Sequence, residues 1–140
     1  MRYIALLIPP LALLFACGGK PAAETVVPGT TIELPIEDLD SYIPDTIKMG
    51  RMAEGEVIKG DFTLHNMGEK PVVIATVITG CGCTTAKYDK DPIMQDGKRT
   101  IEFVFDSKGR YGRQKKTIEV ITAENEVIPV ILTGDVQRKQ

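Results

Sequence analysis

The stretch Val57-Ile58-Lys59-Gly60-Asp61-Phe62-Thr63-Leu64-His65 alternates apolar and polar positions with a period of two. That spacing predicts a half-buried strand with Ile58, Phe62 and Leu64 on one face. Thr100 to Asp106 alternates in the same way, and Lys116 to Thr122 and Val127 to Gly134 form two further strand-like runs. Pro71 to Thr79 is an almost unbroken β-branched run, the pattern of a central strand buried on both faces. Asn66-Met67-Gly68-Glu69-Lys70 supplies turn chemistry before it, so the two runs are expected to pair as a hairpin. Thr84 to Tyr88 predicts a short strand, and Thr31 to Ile36 predicts an edge strand or one entering the domain, because Pro35 removes a ladder donor. Pro129 likewise implies that the last strand is an edge or is bulged there. Short strands separated by polar, glycine-containing turns, without an amphipathic helix, predict an all-β, immunoglobulin-like β-sandwich of about seven strands.

The N-terminus has a different pattern. Arg2 precedes an apolar run broken by Pro9 and Pro10, too short to cross a bilayer as a permanent helix. It ends in Leu14-Phe15-Ala16-Cys17, which resembles the lipobox cut by lipoprotein signal peptidase, with a small residue before the cysteine and Phe15 bulkier than usual. Residues 1–16 are therefore expected to be a lipoprotein signal peptide and Cys17 the lipidated residue. Residues 17–30 begin GGKPAAETVVP from Gly18 and are expected to be a tether without fixed structure. The sandwich is expected over 31–140, with its core at 46–135. These features imply an exported protein, lipid-anchored in the bacterial cell envelope, at the outer membrane and facing either the periplasm or the cell surface.

Composition narrows the picture. With 17 Lys+Arg against 19 Asp+Glu, the chain lacks the strongly basic character of a nucleic-acid binder. It has no tryptophan and 6% aromatic residues, which argues against a site of stacked aromatic rings. No nucleophile motif and no phosphate-binding glycine loop is present. Asp38 with Asp40, and Asp89 with Asp91, sit in turn-like sequence where carboxylates are ordinarily solvated.

Gly50 with Gly55-Glu56, Phe62 with Asn66 and Gly68, Cys81-Gly82-Cys83-Thr84, and Ile101, Phe103 and Phe105-Asp106-Ser107 with Gly112 occur in an order that resembles domain-of-unknown-function family 1573. The resemblance covers roughly Thr46 to Asp135, and its most specific element is the CGCT tetrapeptide after a β-branched strand. It implies an exported, often lipid-anchored bacterial protein of Bacteroidetes type with an immunoglobulin-like domain. No molecular activity is attached to that family. One departure is Asp96-Gly97, where the family commonly has Pro-Gly, a change that a type I turn tolerates.

With Cys17 assigned to lipid, Cys81 and Cys83 remain as a pair in a compartment that permits disulfides. Three readings are open: a structural disulfide or simple packing at the end of the sandwich, a redox-active dithiol, and a copper(I) site of two thiolates. A bridge between residues two apart closes a very short loop and gains little chain entropy. His65 is the only histidine. A hairpin about Gly68 sets it opposite Pro71 and Cys81 opposite Gly55, roughly 33 Å away and too far to be a third ligand. If the strands from Pro71 and from Lys115 lie antiparallel, Arg110, Tyr111 and Arg113 come near the cysteines, where cations would lower a thiol pKa.

The functional expectation is a non-enzymatic, lipid-anchored protein-binding or scaffolding module whose partner is another envelope protein, with no catalytic residue and no cofactor. Strand addition at a sheet edge is the physically available mode. The alternative is a small redox or copper-handling protein acting through Cys81 and Cys83.

Overall fold

A computed structural model describes residues 24–36, 38 and 41–138. The expected signal peptide, Cys17 and the first part of the tether lie outside the described residues. Among the described residues nine strands form two sheets: β1 (Glu24–Val27), β2 (Thr31–Leu34), β3 (Asp45–Ala53), β4 (Val57–Asn66), β5 (Ile74–Thr79), β6 (Thr84–Lys87), β7 (Lys98–Asp106), β8 (Gly112–Thr122) and β9 (Val127–Gln137). One sheet has the order β1-β4-β7-β6, with β2 also on β4, and the other has the order β3-β9-β8-β5. The sheets pack as a β-sandwich.

Alternation explains the packing. In β4, Ile58, Phe62 and Leu64 turn inward and are at most 1% exposed, and Ile101, Phe103 and Phe105 do the same on β7. Ile118 and Val120 on β8, with Ile128, Val130 and Leu132 on β9, supply the facing layer. Burying each such side chain contributes roughly 1.5–3 kcal/mol, which makes this inner layer the main source of stability.

Four expectations need correction. Val57–Asn66 does not pair with the run that follows it: β4 is antiparallel to β7, with Phe62 opposite Ile101, while β5 lies in the other sheet on β8. The reason is Asn66, fully buried, whose amide donates to the Lys70 carbonyl (2.7 Å) and the Ile93 carbonyl (2.9 Å). Those bonds hold the chain in a crossover between sheets where a hairpin turn was expected. Second, β5 is an edge strand with half of its residues exposed, not central; its neighbour on one side is β8 and no described strand lies on the other. Third, the expected tether is ordered from Glu24, where β1 runs parallel to β4 and Val27 lies opposite Gly60. The missing side chain of Gly60 makes the space: a Cβ there would lie 2.7 Å from Val27 and 2.6 Å from Phe103.

Fourth, the described residues form nine strands, where about seven were expected; β1 and β3 are the additions. The inward alternation of Ile47 and Met49 on β3 is displaced at Met52 by a bulge at Gly50, which has φ of 79°. Pro129 fits its expectation locally. β3 joins β9 only from Val130 onward, so at Pro129 the strand has β8 alone beside it. Asp96 has φ of 58°, so its turn is not type I.

Candidate functional site

The sandwich has two distinct ends. At one lie the turn between β3 and β4, the CGC loop, the β7–β8 loop and the end of β9. Here Cys81 and Cys83 are joined in a disulfide with their Cα atoms 5.2 Å apart. Cys83 is buried in the core, Cys81 is half-buried, and the Thr84 hydroxyl lies 3.8 Å from both sulfurs. Backbone bonds hold the loop: the Asp106 amide donates to the Cys83 carbonyl at 2.9 Å, and the Gly80 amide to that of Thr117 at 3.3 Å. Ser107, fully buried, donates its hydroxyl to the Glu56 carbonyl at 2.8 Å and ties the β3–β4 turn to the same end.

The antiparallel pairing of β5 with β8 is as the sequence implied, with Thr79 opposite Ile118. It brings Arg110, Tyr111 and Arg113 to the disulfide end. Tyr111 is 50% exposed, and the Arg138 guanidinium sits 5.1 Å from its ring centroid. Neither Arg110 nor Arg113 makes a side-chain hydrogen bond to the sulfurs, and in the disulfide there is no thiol for them to acidify. His65 is at the other end: it pairs with Lys98, and Asp106, which holds Cys83, is the far terminus of β7, about 27 Å along the strand. Among the described residues no three His, Cys, Asp or Glu side chains are grouped to hold a metal. The redox and copper readings are thus not supported by the arrangement. Asp38 accepts from the Ser41 amide and hydroxyl, and Asp89 pairs with Arg99 at 3.1 Å, so these carboxylates serve turns. Asp40 lies outside the described residues.

At the opposite end a cleft of about 430 Å³ opens between Pro35, Asn66, Lys70, Val72, Thr122 and Glu124. It mixes apolar walls with a charged rim and gathers no reactive side chains.

The feature that sequence reasoning missed is the outer edge of β5. Ala75, Thr76 and Ile78 are exposed, Ile78 to 45%, and the strand carries no charge over its six residues. The other edges are blunted. β3 carries Lys48 and Arg51, while β1, β2 and β6 are four residues each; β5 shares with β3 a register irregularity, at Ile74 to Thr76, but has no charge. The absence of charge in Ile74-Ala75-Thr76-Val77-Ile78-Thr79 was the available signal, and it fits an adhesive edge as well as a buried strand.

The model of the family described as Protein of unknown function (DUF1573) matches residues 42–136. The chain belongs to that family. The match spans β3 to β9 and includes the disulfide and the β5 edge of this DUF1573 domain. No curated protein matches the sequence. Among solved structures, a protein of unknown function from Porphyromonas gingivalis W83 is similar at 19% identity and a TM-score of 0.57, over 66% of this chain and 44% of that one. The VesB protease of Vibrio cholerae is similar at 12% identity and a TM-score of 0.56, over 66% of this chain and 30% of the protease. The secreted serine protease VesC from Vibrio cholerae gives 10% and 0.51, over 64% and 21%. The DUF1573 chain spans less than half of each of these proteins, and the likeness is one of fold. Among the described residues no helix is long and apolar enough to cross a membrane.

Proposed function

We propose that this DUF1573 domain is a non-enzymatic, lipid-anchored module of the bacterial cell envelope that takes up an extended segment of another envelope protein along β5. The observation that carries the reading is the contrast between edges: β5 presents an uncharged, partly exposed strand of six residues while the other edges are shorter or charged. An unpaired strand edge offers a row of backbone donors and acceptors, and an added strand gains those bonds plus contacts to alternate side chains. Ile78 supplies an apolar contact toward the C-terminal end of that edge. The Leu14-Phe15-Ala16-Cys17 sequence supports anchoring through a diacylglycerol thioether on Cys17. The Cys81–Cys83 bridge, in this reading, fixes the loop that terminates β5.

The test is sedimentation of the protein extracted in mild detergent from its own envelope. Wild type should run as an assembly larger than the monomer, and Ile78→Lys should run as a folded monomer. Thr46→Lys on the β3 edge should behave as wild type. A monomeric wild type, or an Ile78→Lys variant that keeps the assembly, would overturn the proposal.

A further inference from the structure

We infer that the disulfide end of the sandwich rests on the headgroup surface of the membrane that holds Cys17, an inference that rests on the lipidation proposed above. Topology supplies the first argument. β1 runs parallel to β4 with Glu24 opposite Val57, so the chain enters the sheet at the end bearing the β3–β4 turn, the CGC loop and the β7–β8 loop. Six residues, Gly18 to Ala23, separate Cys17 from Glu24. Fully extended, that linkage reaches about 25 Å. The ten-residue β4 alone is about 34 Å long. An inverted domain, with the Asn66 end on the membrane, would place Glu24 beyond the reach of the lipid.

Charge and aromatic placement then favour the end over the flanks. Lys108 and Arg113 are exposed, Arg110 is partly so, and Arg138 lies over the half-exposed Tyr111. The acidic groups of this end are largely engaged in holding turns. Glu54 accepts from the Gly109 amide, Glu56 from that of Ala53 and Asp106 from that of Lys108, while Glu24 pairs with Lys59. Asp135 is set by register beside Arg51 on β3 and Arg113 on β8. The far end carries Glu69, Asp96, Glu124 and Glu126 in its loops, against Lys70 and Lys98. The carboxylates keep their charge, so against Arg51, Lys59, Lys108, Arg110, Arg113 and Arg138 they leave the anchor end only slightly basic, while the far end is acidic. Cations beside an exposed tyrosine suit the anionic, amphipathic headgroup layer. In this orientation β5 stands along the membrane normal, with its edge open to the side.

The chain has no tryptophan, so a single introduced one reports its own surroundings. Full-length Tyr111→Trp and Glu124→Trp proteins, purified with their lipid, would be reconstituted into phosphatidylglycerol–phosphatidylethanolamine vesicles containing a lipid with a nitroxide headgroup. The orientation predicts loss of Tyr111→Trp fluorescence, relieved by high salt, and no loss for Glu124→Trp. A Lys108→Trp protein provides the same readout should Tyr111→Trp fail to fold. Intact mass separates the two claims. A chain without diacylglycerol on Cys17 overturns the anchoring and this inference with it. A lipidated protein quenched equally at both positions, or more at Glu124→Trp, overturns the orientation and leaves the anchoring in place.

Discussion

The Asp106 amide donates to the Cys83 carbonyl at 2.9 Å, so the loop that the disulfide closes on itself is fastened to the end of β7 by backbone. Closing a loop between residues two apart restrains the unfolded chain by only about 1.5 kcal/mol. Reduction of the wild-type protein should therefore lower its stability by about that amount and leave the fold intact. Urea unfolding with and without a reductant measures it; unfolding on reduction alone would show that the bridge holds far more than the loop.

Asn66 is a fully buried polar residue. Its side chain makes three hydrogen bonds, two to the carbonyls of Lys70 and Ile93 and one from the Gly68 amide at 3.0 Å. Asn66→Ala leaves those groups unpaired beside a void and should cost roughly 3 kcal/mol of unfolding free energy, measured by urea unfolding.

Gly60 and Gly82 should respond oppositely to the same change. A Cβ at Gly60 meets the Phe103 ring at 2.6 Å, whereas one at Gly82 meets nothing within 4 Å. Gly60→Ala should destabilise by about 1–3 kcal/mol through overpacking. Gly82→Ala should stay within about 0.5 kcal/mol of wild type in thermal unfolding.

Tyr42 donates its hydroxyl to Asp45 at 2.6 Å. Burial first, and then the hydrogen bond and charge of Asp45, push its pKa from the ordinary 10.0 up to about 12. A phenol that ionises later in the folded state favours folding fully below pH 10.0, and that contribution is lost as pH climbs to about 12. Wild-type stability should fall across that window by more than that of Tyr42→Phe, measured by urea unfolding at each pH.

The legible parts of the fold were the strands whose environment differs between faces. β4, β7 and β8 alternate because one side meets the core and the other meets water, and Ile58, Phe62 and Ile101 declare it. The end of the sandwich shared by the cysteines with Arg110, Tyr111 and Arg113 was also legible, because it follows from pairing β5 with β8. What misled was β5 itself. A run without charges looks the same whether two neighbours cover it or one does, and only the sheet order distinguishes them. The crossover at Asn66 was hidden for a related reason: the Asn66-to-Lys70 residues suit a tight turn, and the competing hydrogen bond comes from Ile93, 27 residues away. β1 escaped because its one buried residue, Val27, sits in a space made by Gly60 on another strand.

The central claim, that β5 is the docking edge for another envelope protein, is tested most directly by a photo-cross-linking residue placed at Ile78 in the living cell, with the same residue at Thr46 on β3 as control. The account predicts a discrete cross-linked product from position 78 and none from position 46, at a mass other than twice that of the chain. No product at position 78, equal products at both positions, or a product of twice the chain mass would contradict it.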